Sequence, residues 1–249
     1  MGIAETIIQI MKSKADQFTL KRVQVGLIYS AVELNNLATG VAYTFPKGEH
    51  CGMGGRSKPL AGRTASEIIT FLAGRNLVLS SLALATVNAL LATNPLPQGA
   101  ERGDALEKIG IRKGDRVCMV GCFFPIMETL RKKEITVTAV DEIPKPGSGL
   151  PEEVENVLPN SQVAIFTATS IINNTLDHLL QLAHACREVA LLGPSTPLLK
   201  ESFTDTPITC LSGVRIMESE KVLQIISEGG GFKDFKRYCR KVNIRLIDN

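Results

Sequence analysis

The sequence predicts an α/β protein in which a small α+β unit is followed by a Rossmann-like, mostly parallel sheet with helices on both faces. Two patterns carry this. From Asp115 onward, runs rich in Val and Ile, "RVCMVG", "ITVTAVD", "QVAIFT" and "EVALLG", alternate with helical segments, as strands buried under helices do. Ahead of Asp104 the order is instead β-rich runs first and apolar helices after.

The chain begins with "IAETIIQIMKSKA", whose Ile3, Ile7, Ile10 and Met11 share one helical face. The runs "LKRVQVGLIYSAVEL" and "ATGVAYTF" flank Asn35 and Asn36, the pattern of two antiparallel strands and a turn. Pro46–Gly62 is glycine-rich and aperiodic, and loops of that length are uncommon in compact domains unless they bind something or are disordered, so it is a lid candidate. Thr64 or Ser66 can cap the helix "ASEIITFLAG", and a buried apolar helix spans Leu77 to Ala92. "NPLPQGAERG" reads as a linker, which divides the chain into domains at 1–98 and 99–249.

In the second part, helices are expected from Pro125, Thr175 and about Pro197, with a strand at "ITCL" and a helix at "SEKVLQIISEG". The connection from Glu142 to Asn160 carries four prolines and little room for a full crossover helix. Strand order is therefore not readable from the sequence.

With 28 basic and 25 acidic residues, the charge balance is too even to signal nucleic-acid binding. The one basic concentration, Lys233, Lys236, Arg237, Arg240, Lys241 and Arg245, reads as a solvated helix face. Six cysteines without a CxxC pair, and no signal peptide, indicate a cytoplasmic protein with reduced thiols. Polar residues interrupt the uncharged run Leu77–Pro97, so no membrane span is expected. Homo-oligomerisation is left open.

Ligands of open parallel sheets bind outside the carboxyl ends of the strands. Those ends are Gly121–Pro125, Asp141–Glu142, Thr167–Thr175 and Gly193–Pro197. In "FTATSIINNTL", Asn174 with Asp177 resembles a capping box. That leaves Thr167, Thr169, Ser170 and Asn173 to face a ligand at a helix N-terminus. Thr196 can cap a helix with Pro197 in its first turn, and Ser195 is a weakly signalled nucleophile because "LLGPSTPL" is not GxSxG. At "VGCFFP" only Gly121 fits a dinucleotide fingerprint, so NAD is disfavoured; Asp141 still stands where a ribose-reading acid would. No HxxxH pair exists, and no structural zinc is expected; His50-Cys51 and Cys122 have no spacing that requires a metal.

"GLIYSAVEL", "VGCFFP", "TATSIINNTLDHLL" and "LLGPSTPL", in this order, resemble a prokaryotic family of unknown function described as concerned with heavy-metal chelation. The resemblance covers nearly the whole chain. It implies an enolase N-terminal-like domain, a Rossmann-like domain with partial similarity to methyltransferases, and a site between them. Carried over by position are Gly121, Phe124, Pro125, Thr167, Thr169, Asn173, Thr175, Gly193, Pro194, Ser195 and Pro197. Cys122 and His50-Cys51 match no family motif.

The expectation is a site for a small anionic or metal-chelating molecule of pterin, flavin or siderophore type, with condensation or hydrolysis as the implied chemistry. Thr169 and Asn173 would hold it, amides near Pro125 and Thr175 would add positive partial charge, and Glu33 or Asp141 would act as base or cation ligand. Beside Gly121, Phe124, Pro125, Thr167, Ser170, Thr175 and Gly193, the set of binding candidates includes Ser195 and Thr196. A metal ion or an S-adenosylmethionine-like cofactor stays open. The alternatives are a non-catalytic metal-chelate carrier and an S-adenosylmethionine-dependent methyltransferase.

Overall fold

The computed structural model describes residues 1–45, 59–142 and 146–246. Helix α1 (Ile3–Ala15) buries Ile3, Ile7, Met11 and Ala15, an i, i+4 stripe. Ile10 lies at the margin of that stripe and is 39% exposed, so it does not share the buried face as expected. No side chain of its own first turn caps α1. Instead Asp177, far along the chain, accepts from the Ile3 N–H at 3.0 Å.

The first β-rich run is two strands rather than one, β1 (Leu20–Val25) and β2 (Tyr29–Leu34), paired antiparallel. Gly26 makes the reversal: its N–H donates to Tyr29 O, and a Cβ there would stand 2.5 Å from Ile226 O and 2.7 Å from Tyr29 O. Strand β3 (Thr39–Tyr43) completes a three-stranded sheet in the order β1-β2-β3.

Helix α2 (Ala65–Ile69) is capped by the Thr64 hydroxyl, which accepts from Glu67 N. Helix α3 (Leu77–Ala92) begins at Asn76, whose side chain accepts from Leu79 N. It is apolar on all sides because it is enclosed on all sides, and its hydroxyls turn back on the backbone: Ser81 to Leu77 O and Thr86 to Leu82 O. A Cβ at Gly40 would lie 2.2 Å from Ala85 O and Ala89 N. Only glycine lets β3 lie this close to α3.

The second sheet contains β4 (Ala100–Glu101), β5 (Arg116–Val120), β6 (Thr136–Val140), β7 (Ser148–Gly149), β8 (Val163–Thr167), β9 (Glu188–Leu192), β10 (Cys210–Ile216) and β11 (Cys239–Arg245). Among the described residues its order is β4-β11-β10-β9-β8-β5-β6-β7. It is parallel from β10 through β7; β11 is antiparallel to β10, and β4 to β11. The presumed linker thus donates a strand to this sheet.

Successive residues of the central strands enter different cores. Val117, Met119, Val163 and Ile165 join one buried cluster, while Cys118, Ala164 and Phe166 join another. Both faces of the sheet are therefore covered, which is why its strands read as continuous apolar runs. The helices of this part are α4 (Phe124–Lys132), α5 (Val154–Val157), α6 (Thr169–Ile172), α7 (Leu176–Leu182), α8 (Ser219–Ser227) and α9 (Phe232–Phe235).

Two expectations fail here. The segment after β9 does not start a helix at Pro197; regular structure resumes with a 3₁₀ turn at Lys200–Phe203, so Thr196 caps no α-helix. The basic C-terminal residues do not share a helix face, since Arg240, Lys241 and Arg245 lie on β11. Among the described residues no helix is long and apolar enough to cross a membrane.

Candidate functional site

Strands β6 and β8 flank β5 on opposite sides. The connections leaving β5 and β8 diverge there and open a crevice at the carboxyl ends, the point where strand order reverses. Gly121 ends β5 with φ +88°. A Cβ at this glycine would stand 2.7 Å from Thr167 Cγ2, so close passage against β8 and the left-handed backbone both require glycine. Gly193 leaves β9 with φ +119°.

A cavity of about 330 Å³ occupies this crevice. One wall is Tyr29, Tyr43 and Phe45, from the three-stranded sheet and its exit. Tyr43 meets Tyr29 and Phe45 edge-to-face, with centroids 6.0 and 5.2 Å apart. Burial, with a contribution from Tyr43, pushes the Tyr29 phenol above its ordinary value. The facing wall contains Gly121, Asp141, Glu142, Thr167, Thr169 and Asn173. Ser170, Thr175, Gly193 and Ser195 also border the cavity, so most of the residues expected from the sequence converge.

The polar residues of 167–175 are largely occupied with one another. Thr167 and Thr169 share a hydroxyl hydrogen bond of 3.0 Å, and the Ser170 hydroxyl donates to Thr167 O at 2.7 Å. Thr169–Ile172 forms the short helix α6 instead of an open turn. Asn174 is not the cap of α7: it adopts φ +58° and its side-chain amide donates to Gly74 O at 3.3 Å. The N-cap residue of α7 is Thr175, whose side chain makes no cap hydrogen bond; Asn173 closes a local turn ahead of it, its Oδ1 accepting from Thr175 N at 3.4 Å and from Thr175 Oγ1 at 2.8 Å. The Asn173 amide also donates to Glu142 at 3.3 Å. Asp177 caps α1, so the expected capping box does not form.

Ser195 is buried, and its Oγ accepts from the Tyr43 N–H at 2.9 Å. Asn88 of α3 donates to Val41 O at 3.0 Å and Ser195 O at 3.1 Å. Together they fasten the aromatic wall to the strand-end wall. One Asp141 oxygen accepts from Cys122 N at 2.7 Å and so positions the β5–α4 connection.

Four expected residues lie elsewhere. Glu33 is buried on β2, held by Arg22 at 2.7 Å and Lys21 at 3.1 Å, and does not border the cavity. Phe124 is 44% exposed on α4, outside the cavity lining, and Pro125 is likewise not part of that lining. Thr196 faces a different cavity. The sequence reading missed Tyr29, Tyr43 and Phe45, because the packing of β3 near the second sheet, through the Tyr43 N–H to Ser195, is a long-range fact; alternation in "GVAYTF" is the local trace. Among the described residues no three of His, Cys, Asp and Glu are grouped to hold a metal ion. His50, Cys51 and most of the lid candidate, Pro46–Lys58, lie outside the described residues.

Two family descriptions, both worded "Putative heavy-metal chelation", match the chain, one over residues 104–245 and one over residues 8–91. The chain belongs to the family so described. An uncharacterised protein of Methanocaldococcus jannaschii is 24% identical over 253 residues, covering 98% of this chain and 96% of the relative. The fold is that of two crystal structures of family members of unknown function. That from Pyrococcus horikoshii has TM-score 0.87 at 24% identity, covering 98% of this chain and 99% of its own. That from Desulfitobacterium hafniense has TM-score 0.82 at 23% identity, covering 98% and 97%.

Proposed function

We propose that the cavity binds a small, flat, metal-chelating molecule of pterin or flavin type, in its metal-loaded form. The carrying observation is the composition of the two walls: aromatic rings on one side, amide, hydroxyl and carboxylate groups on the other, at a strand-order reversal. A volume of about 330 Å³ suits one small heterocycle. A siderophore would fit only in part. The described lining contains Asp141 and Glu142 but no Lys or Arg, so a bare anion would meet like charge, whereas a chelate carrying a divalent cation would not.

Binding without turnover is the better supported form of this reading. Thr167, Thr169 and Ser170 bond to one another, Ser195 holds the Tyr43 amide, and Asp141 holds that of Cys122. These groups build the site, and among the described residues none of these hydrogen bonds joins a nucleophile to a base. Condensation or hydrolysis is the second outcome, and methyl transfer from S-adenosylmethionine rests on the fold alone.

The test is titration calorimetry of the whole protein with pterins and flavins, metal-free and metal-loaded, and with S-adenosylmethionine, followed by chromatography for products. Metal-loaded heterocycles should bind best, remain unchanged, and lose affinity at least tenfold in Phe45→Ala. Equal affinity for metal-free and metal-loaded forms, or binding of S-adenosylmethionine alone, would sink the reading.

A further inference from the structure

A second cavity, of about 260 Å³, lies where the end of α3 meets β10 and the segment after β9. Its walls mix polar and apolar surface, with Pro95, Pro97, Leu198 and Val214 on the apolar part. It shares only Pro194 with the crevice described above.

Arg215 stands on this wall and donates to Asn94 O at 2.6 Å and Leu91 O at 3.1 Å. Two of its five N–H groups thus close the carboxyl end of α3, and among the described residues no carboxylate pairs with its charge. Directly opposite it in the β10–β11 register is Arg240. Like charges at facing positions of an antiparallel pair cost stability. Lys14 of α1 is a third cation in the group: burial first and then the Arg215 charge depress it, while burial and Arg240 depress Arg215. Among the described residues none of the three takes part in an ion pair with an acid. Glu201 also borders the cavity, exposed and unpaired with them. The local sum stays positive.

We propose that this cavity is a second binding site, for a small organic carboxylate whose apolar body lies against the prolines and Leu198 and whose charged end faces Arg215. The anion offsets the repulsion among Arg215, Arg240 and Lys14. An aliphatic chain of a few carbons fills the remaining volume.

The experiment measures melting temperature and calorimetric affinity of the whole protein with acetate, butyrate, hexanoate and inorganic phosphate, at constant ionic strength set with chloride. Stabilisation should grow from acetate to butyrate and exceed that from phosphate. Lys14→Gln and Arg240→Gln, which relieve like-charge contact and border neither cavity, should fold at least as stably without ligand and bind butyrate several-fold more weakly. Phosphate matching butyrate, no dependence on chain length, or unchanged butyrate affinity in both variants would each overturn the proposal. Retained metal-chelate binding in those variants separates failure here from failure at the crevice.

Discussion

Asn173 and Asn174 are adjacent and chemically identical, yet the structure gives them different work. Asn173 accepts from Thr175 in the turn ahead of α7, while Asn174 takes the left-handed backbone that joins α6 to α7. Asn173→Ala should therefore lower stability by roughly 0.5–1.5 kcal/mol, the usual net worth of a lost hydrogen bond. Asn174→Gly should change stability less, because glycine adopts φ +58° without a Cβ penalty and this offsets loss of the exposed 3.3 Å bond to Gly74 O. Urea unfolding of both variants checks this; a larger loss for Asn174→Gly would reverse the assignment. At Ser195, removal of the hydroxyl leaves the Tyr43 N–H without its acceptor, and Ser195→Ala should cost about 1–3 kcal/mol. A loss near zero by the same measurement would mean that another acceptor replaces it.

Among the elements, α1 depends on a partner distant in sequence. Its first turn has no cap of its own, and the Asp177 carboxylate both accepts from Ile3 N and places negative charge at the positive end of the helix. Asp177→Ala should destabilise the protein by roughly 0.5–2 kcal/mol, and Asp177→Asn by less, since the acceptor remains. Amide exchange in α1 should accelerate in the alanine variant while α3 stays protected. Unchanged exchange in α1 would show that packing of Ile3, Ile7 and Met11 suffices.

For the whole molecule, Glu188 at the start of β9 links several elements. It is buried, accepts from Arg245 at 2.7 Å and from Thr209 at 2.7 Å, and lies 3.9 Å from Arg187. Burial opposes its ionisation, but the Arg245 and Thr209 hydrogen bonds and the two arginine charges outweigh it and hold the carboxyl below its ordinary value. A depressed folded-state value means the stabilisation is complete above the ordinary glutamate range, near 4.3, and is lost as pH falls through the lower folded value. Denaturation midpoints should therefore drop on acidification below about pH 4.5. Glu188→Gln should be less stable at neutral pH and show a shallower acid slope; an identical slope would assign the acid sensitivity to other carboxylates.

The sequence by itself determined the fold class and the α3 span and narrowed the α2 cap to Thr64 or Ser66, because hydrophobic period, capping residues and glycine placement act over a few neighbours. It also located most of the crevice lining, since strand ends are where a parallel sheet exposes its loops: Gly121, Thr167, Thr169, Asn173, Gly193 and Ser195 all border it. Only the tertiary structure decided the rest. Glu33 looked available until Arg22 and Lys21 enclosed it, Asp177 changed from a local cap to a distant one, and the second half of the basic tail became a strand. Tyr29, Tyr43 and Phe45 became a wall because Gly40 brings β3 onto α3 and Ser195 receives the Tyr43 amide. Each of these outcomes depends on contacts between residues far apart in the chain, whose energies no local pattern encodes.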